Sequence, residues 1–305
     1  MDNRQRKELK ELLSGSVRFD CPLARYTSFH IGGPAAALTE VHHRRELPVL
    51  LKWLQGEGLS WRVIGRGTNL LVSDDGYDGV ILLLGDEFKT VEYVSGEEVS
   101  AVRAGGGYGI ARLSRECAEQ GLTGLEFSIG IPGTVAGAVI MNAGAWGSEI
   151  SAILQSVTLA GADGEKSFSR GELAFSYRHW SDFDMWKNNW VVTEAGFVLG
   201  HGERENILQH CRDLQEKRKA TQPSGYGNAG SFFKNPPHDS AGRLIEACGL
   251  KGMKVGGAMV SEVHANFLVN RGKATAREVI ELMRLIQEKV KINSGVVLEP
   301  EVQFL

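Results

Sequence analysis

The chain has 305 residues, which at about 150 residues per domain allows two domains or one large α/β unit with an appendage. Hydrophobic residues make up 42% and charged residues 23%, the composition of an ordinary folded protein, and 34 Lys and Arg against 37 Asp and Glu leave a net charge of −3, so no basic surface is offered to nucleic acid or to an anionic membrane. Cys21, Cys117, Cys211 and Cys248 are scattered without a CxxC pair, which excludes a disulfide framework and a zinc knuckle, and the polar start MDNRQRKELKELL has no apolar run, so the cytoplasm is the expected location.

Residues 5–13 read as a short helix, and after Pro22 the segment YTSFHIGGPA reads as a strand entering a tight glycine turn. Leu47, Leu50, Leu51 and Leu54 recur at helical spacing, with Gly56 and Gly58 as the stop. WRVIG, GRGTN and GVILLL then give strand, turn and strand, completing an α/β unit. Two strand-like runs occupy 90–104, and Ile110, Leu113, Cys117 and Ala118 mark an amphipathic helix ending at Gly121. The uncharged stretch 127–148 holds Gly130, Pro132, Gly133, Gly137, Gly144 and Gly147, a density of breakers that suits turns around a ligand and not a membrane helix. Glycine is 38 of 305 residues, about 12% against an average near 7%, and it clusters instead of repeating. LQSVTLA and WVVTEAGFVL resume the strand pattern, a helix covers 207–219, and TQPSGYGNAG after it has the composition of a linker. The last part runs through SFFKNP, LIEACGLKG and the strand-like NFLVN to a helix opened by a capping box of Thr275 and Glu278, whose stripe of Val279, Met283, Ile286 and Val290 is core packing.

Three sets of residues are candidates for chemistry. Gly65-Arg66-Gly67-Thr68-Asn69 directly follows a strand, where a tight turn either presents successive N–H groups to an anion or simply joins two strands; the pentapeptide alone leaves both open. It is not a dinucleotide fingerprint, because LLVSDDG does not open a helix, and the one formal GxGxxG, at Gly225, Gly227 and Gly230, follows no strand and is closed off by Pro236. The second set is GIPGTVAGA continuing to NAGAWG, a glycine-rich loop long enough to expect function, with a packing crossover as the plainer reading. The third set is scattered: Tyr177-Arg178, the segment GSFFKNP, and Glu299-Pro300-Glu301. Singly, Arg178 reads as a surface ion pair, Ser231 as a turn residue, Lys234 as a solvated charge and Glu301 as the end of a strand.

Taken in order, GRGTNLLVSD, GIPGTVAGAVIMNAGAWG, the YR dipeptide, NAGSFFKNP, SEVHANFLVN and LEPEV resemble the UDP-N-acetylenolpyruvoylglucosamine reductase family from about Tyr26 to the end of the chain. GSFFKNP and EPEV are specific to that family, whereas GRGTN and GIPGTVAG are similar to the wider vanillyl-alcohol-oxidase-like class of FAD domains. The resemblance implies an α+β fold: FAD-binding α/β subdomains over 1–86 and 87–200, then a substrate-binding domain over 201–305. It places contacts to a non-covalent FAD on Gly65, Arg66, Gly67, Thr68 and Asn69, and on Gly130, Ile131, Pro132, Gly133, Val135, Gly137, Ala138, Asn142, Gly144 and Ala145. Thr68 and Asn69 stand where some of the wider class carry a linking histidine. Two departures from the family pattern, Trp146 for Tyr and Trp180 for a small polar residue, put local flavin or substrate contacts in question. The short spacing from Tyr177-Arg178 to Ser231 resembles the branch without an extra substrate-covering loop.

The resemblance further implies reduction of UDP-N-acetylglucosamine enolpyruvate to UDP-N-acetylmuramate for peptidoglycan, with NADPH as co-substrate in a ping-pong cycle through flavin N5. Arg178 holds the enolic charge, Glu301 joins it as a proton-sharing carboxylate with a raised pKa, and Ser231 is the general acid. Tyr177 contacts substrate, Lys234 and Asn235 contact substrate or orient Ser231, and Lys219 is the candidate for the UDP diphosphate with Arg218 as competitor. No metal, nucleic acid or membrane partner is expected. The competing readings are another FAD-dependent sugar or lactone oxidase of the same class, and a nucleotide-binding regulatory protein without activity.

Overall fold

The apolar run VVTEAGFVL becomes the long strand Val191–His201, which is buried at every position except Glu194, Val198, Gly200 and His201. A strand that loses the usual in-and-out alternation is covered on both faces. It sits inside a six-stranded antiparallel sheet, in the order Gly164–Ser169, Leu154–Gly161, Val191–His201, Val99–Gly105 and Val91–Val94, with Leu122–Thr123 pairing onto its far end. A second sheet orders Val17–Pro22, Pro34–Val41, Tyr77–Leu84 and Trp61–Val63, the last two in parallel.

The computed structural model describes residues 1–305, and the chain separates into two units that interleave along the sequence. The first comprises Met1–Phe19, Ala36–Gly65 and Asp78–Glu216; the second comprises Asp20–Ala35, Arg66–Tyr77 and Lys217–Leu305. In the first unit, helix α1 (Asn3–Leu12) is opened by a reciprocal Asp2–Gln5 capping box. Helix α2 (Glu46–Gly56) buries the four leucines read from the sequence, in a cluster with Leu9, Val80 and Leu82. Helix α3 (Ile110–Glu119) lays Ile110, Leu113 and Cys117 against Val102 and Phe197 of the large sheet. At about 1.5–3 kcal/mol for each fully buried large apolar side chain, these helix-on-sheet clusters are the main favourable term in the unit.

Helix α4 (Val135–Ile140) lies inside the stretch read as turns, which is a correction. Glycine weakens a helix, but Thr134 accepts from the Gly137 N–H at 3.3 Å as the cap, and Val135, Ala136, Ala138 and Val139 are buried, so tertiary packing overrides propensity. A one-turn helix α5 (Phe183–Trp186) follows, and helix α6 (Arg204–Thr221) extends the 207–219 expectation at both ends, with Ile207, Cys211 and Leu214 packed on Ala118 and Ile129.

The second unit is a four-stranded antiparallel sheet, in the order Gly227–Ser231, Phe267–Asn270, Ala258–Val260 and Lys254–Val255, carrying helices α7 (Ala241–Ala247) and α8 (Ala276–Ser294). The Thr275–Glu278 capping box is formed, and Asp74 adds its carboxylate to the Ala276 and Arg277 N–H groups at 2.8 and 3.0 Å. The helix ends at Gly295 with φ 73°, a left-handed position that glycine adopts without strain. Its buried stripe is Val279, Leu282, Ile286 and Val290; Met283, read as a member, packs only partly, because Leu282 is turned more directly to the core.

The segment 26–33 is not a strand, contrary to the sequence expectation. Its backbone bonds are local or sideways, His30 N–H to Thr27 O at 3.2 Å and Ser28 N–H to Gly67 O at 3.1 Å, and His30 and Gly32 have positive φ. Phe29 and Ile31 are nonetheless buried in the second unit's core, so the apolar residues that suggested a strand are anchors of a folded loop.

Candidate active site

The candidate residues fall into both units, and each group is described in its own. In the first unit, Tyr177 and Arg178 form the two-residue turn of a hairpin between Phe175–Ser176 and His179–Trp180. Arg178 has φ 57°, a backbone conformation that costs a non-glycine residue on the order of 1–3 kcal/mol and persists only where the surroundings enforce it. Those surroundings are visible. Trp180 is buried between stacked Phe175 and Phe183, with centroids at 5.4 and 5.3 Å, and meets Trp186 edge-on. Asp182 accepts from the Ala174 N–H at 2.7 Å and from the Trp180 indole N–H at 3.2 Å. The departure at Trp180 therefore serves as the hairpin's anchor.

The guanidinium of Arg178 donates to the Gly144 carbonyl at 2.7 Å and lies 4.8 Å over the Tyr177 ring. Gly144 belongs to the glycine-rich stretch, so the structure brings that stretch and Arg178 together. A Cβ at Gly144 would stand 2.4 Å from the Ser148 carbonyl and 2.9 Å from the Arg178 guanidinium, which only glycine avoids. Likewise a Cβ at Gly65 would lie 2.5 Å from the Thr134 hydroxyl, so the backbone at the head of GRGTN runs directly against the cap of α4. Both close approaches are to the chain's own atoms, so these two glycines serve packing; the uncharged backbone of the same stretch that is exposed, as at Gly137 and Gly147, is what a flavin's diphosphate and the polar edge of its ring can use, and on this observation the residues present fit FAD.

Asn142 has another task. It is fully buried with φ 40°, its Nδ2 donates to the Ser176 carbonyl at 3.0 Å, and its Oδ1 accepts from the Ser151 N–H at 2.9 Å. Its carboxamide is consumed in tying the glycine-rich stretch to the Arg178 hairpin. Val135 and Ala138 turn their side chains into the core, and the Val135 N–H donates to the Tyr108 carbonyl at 2.8 Å. Trp146, with φ 57°, is 48% exposed, unlike Trp180.

In the second unit, Ser231 ends the strand Gly227–Ser231, opposite Phe267, where a register irregularity between Asn228 and Ser231 bends the pairing. Beyond it the chain pairs with 299–301: Phe233 bridges Pro300, the Lys234 N–H donates to the Glu299 carbonyl and the Glu301 N–H to the Phe232 carbonyl, both at 2.8 Å. GSFFKNP and EPEV, 65 residues apart at Lys234 and Glu299, are thus neighbours, with Ser231 and Glu301 on adjoining stretches. Asn69 joins them, its Nδ2 donating to the Glu301 carbonyl at 3.2 Å while its own carbonyl accepts from the Gln303 N–H at 3.0 Å. Gly67, with φ 61°, would clash as any other residue, its Cβ 2.0 Å from the Tyr26 carbonyl.

Lys234 pairs with Glu299 at 2.6 Å, and Asn235 Oδ1 accepts from the Ala241 N–H at 3.0 Å. Lys219 is exposed, whereas Arg218 is part-buried, and desolvation lowers its pKa. The residue that sequence reasoning passed over is Asn266. It is 3% exposed and accepts from the Phe233 N–H at 2.9 Å while donating to the Phe233 carbonyl at 2.8 Å. The available signal was an Asn inside an otherwise apolar strand pattern, HANFLVN, since a buried carboxamide needs partners.

Residues 35–166 match the model of the FAD binding domain, and residues 222–305 match that of the UDP-N-acetylenolpyruvoylglucosamine reductase C-terminal domain. The first of these makes the chain an FAD-binding flavoprotein. It is 44% identical over 299 residues to a UDP-N-acetylenolpyruvoylglucosamine reductase 1 of Bacillus cereus, covering 98% of this chain and 97% of the relative. It is also 44% identical over 291 residues to the reductase 2 of Symbiobacterium thermophilum, covering 95% and 92%. The crystal structure of the Thermus caldophilus UDP-N-acetylenolpyruvylglucosamine reductase superposes with a TM-score of 0.79 at 36% identity, covering 96% of this chain and 99% of that one. The chain belongs to the UDP-N-acetylenolpyruvoylglucosamine reductase family. No helix is long and apolar enough to cross a membrane.

Proposed function

We propose that the chain reduces UDP-N-acetylglucosamine enolpyruvate to UDP-N-acetylmuramate, a peptidoglycan precursor, with NADPH as electron donor. The observation that carries the reading is the pairing of 231–234 with 299–301, which makes neighbours of the two segments most specific to the family. When bound, FAD supplies the hydride, drawn from NADPH in one half of a ping-pong cycle and delivered to the terminal carbon of the enol ether in the other. Backbone at Gly65–Asn69 and across 130–145 would hold it; the Asn142 side chain is not among the contacts.

Hydride addition leaves charge on the carbon beside the carboxylate, and that charge delocalises into the carboxylate. Arg178 answers it with a permanent cation and a two-pronged donor. Glu301 shares a proton with the same group. The Ser231 hydroxyl gives its proton to the carbanionic carbon and is reprotonated from solvent, so that H⁻ and H⁺ together saturate the double bond. Tyr177, Lys234 and Asn235 complete substrate contacts. For the diphosphate, Arg218 is favoured over Lys219, since a partly desolvated cation gains more from an arriving anion than a fully solvated one.

Stopped-flow separation of the two half-reactions tests this. NADPH is expected to bleach the flavin of both wild type and Ser231→Ala, while reoxidation by the enolpyruvyl sugar slows about 100- to 10,000-fold in the variant only. Reoxidation of Ser231→Ala at the wild-type rate would remove Ser231 from the role. A wild type that ignores the enolpyruvyl sugar but consumes oxygen with a sugar alcohol would make the chain an oxidase of the same flavin class.

A further inference from the structure

We infer that Asn266 is a positioning residue for the proton-transfer half of the reaction, setting where the Ser231 hydroxyl and the Glu301 carboxylate stand. This rests on the reductase reading above and assigns a role to a side chain with no ascribed function. Asn266 precedes the strand Phe267–Asn270, just past the last strand pair, Ser231 with Phe267. At that point the ladder would stop. Instead the side chain of Asn266 acts as a further peptide group: Oδ1 accepts from the Phe233 N–H at 2.9 Å, Nδ2 donates to the Phe233 carbonyl at 2.8 Å, and its main-chain carbonyl accepts from the Phe232 N–H at 2.8 Å.

On the other edge of the same segment, the Phe232 carbonyl accepts from the Glu301 N–H and the Lys234 N–H donates to the Glu299 carbonyl. Residues 232–234 are therefore fixed from both sides. Ser231 enters this clamp and Glu301 is bonded to it, so the placement of both depends on an edge that the Asn266 side chain completes at Phe233. Ser231 keeps its pair with Phe267, and Phe232 and Phe233 are buried in the core, but on the upstream side Gly230 has φ 76° and the register slips between Asn228 and Ser231. Asn266 is in turn held by its own N–H, which donates to His264 Nδ1 at 3.2 Å.

Removing the carboxamide leaves the fold's apolar core intact while releasing the segment that carries the proton donor. Displacements near 1 Å cost reacting groups up to about 100-fold in rate. For FAD-loaded Asn266→Ala, we expect flavin bleaching by NADPH within about twofold of wild type and reoxidation by UDP-N-acetylglucosamine enolpyruvate slowed about 10- to 100-fold. Amide hydrogen exchange should rise in peptides covering 231–234 and 299–301 and stay unchanged in α3. Asn266→Asp keeps the acceptor for the Phe233 N–H but sets a carboxylate oxygen against the Phe233 carbonyl, so it should slow reoxidation too. Leu282→Ala, in the same unit's core, provides the comparison: it should lower the melting temperature and leave the ratio of the two half-reaction rates unchanged.

The inference is overturned if the Asn266 variants reoxidise within about twofold of wild type, if both half-reactions fall in parallel, or if neither variant yields flavin-loaded protein, which would make Asn266 a folding residue only. Failure of the wild type to react with the enolpyruvyl sugar is a separate outcome that strikes the reductase reading, not the clamp.

Discussion

Arg178 and Ser231 are held to different degrees by their backbones. The hairpin of the first unit is short and presents Arg178 at its tip with positive φ, so its position comes from side chains beneath it: stacked Trp180, Phe175 and Phe183, and the buried carboxamide of Asn142. The segment after Ser231 in the second unit adds to its buried Phe232 and Phe233 rings a backbone bonded on both edges, between the Asn266 carboxamide and 299–301. The difference follows from the groups themselves. A guanidinium on a long side chain tolerates small errors of placement and recovers its aim by rotamer, whereas a serine hydroxyl, one bond from Cβ, is placed only as well as its backbone.

That contrast breaks most sharply at Arg178 itself. Arg178→Lys keeps the charge but loses the planar fork, and steady-state turnover with the enolpyruvyl sugar should fall about 100-fold with the melting temperature within about 2 °C of wild type. Next comes the anchor. Trp180→Ala empties an aromatic stack, and denaturant unfolding should show a loss of about 3–5 kcal/mol, together with a raised KM for the sugar as the hairpin loosens. A smaller loss is expected for Asn142→Ala, about 1–3 kcal/mol, because the Ser176 carbonyl and the Ser151 N–H lose their buried partner. The purified variant should load flavin as fully as wild type, because the bonds of the Asn142 side chain are internal.

The smallest effect concerns pH in the second unit. To accept from the Asn266 N–H, the His264 ring must be neutral with its proton on Nε2. Burial first, and then the charge of Lys251, lower its pKa, with Glu246 opposing. The unfolded chain therefore takes up this proton at a higher pH than the fold does. The His264 contribution is complete above the unfolded value of about 6.5 and is lost as the pH falls below it toward the folded value. Thermal unfolding of wild type and His264→Gln between about pH 7.5 and 5 should converge in stability as acid is added.

Much of this molecule is legible locally. The leucines of α2, the stripe of α3, the capping box of α8 and the family segments around Ser231 and Glu301 all stand out in the sequence, because periodicity and caps are properties of neighbouring residues. Where the local signal misled, a non-local one had won. α4 forms within a glycine-rich stretch because its small apolar face is buried, and 26–33 folds as a loop because its backbone partners are spread over Leu23, Ala24, Gly67, Ser73, Asn228 and the segment itself. Trp180 read as a departure from a pattern and is an anchor, a role visible only once Phe175 and Phe183 are beside it.

By itself, then, the sequence determined most of the elements, the family and the residue types available for the chemistry: a guanidinium, a hydroxyl, a carboxylate and a run of bare backbone. Which residues hold those groups in place was decided only by the tertiary structure. Asn142 and Asn266 are each one carboxamide in a long chain, with the same donor and acceptor wherever they stand. Their partners at Ser176 and Phe233 lie 34 and 33 residues away, and no periodicity, cap or turn rule reaches across such a distance. Folding had to bury them first, and burial is what obliged each carboxamide to find its bonds.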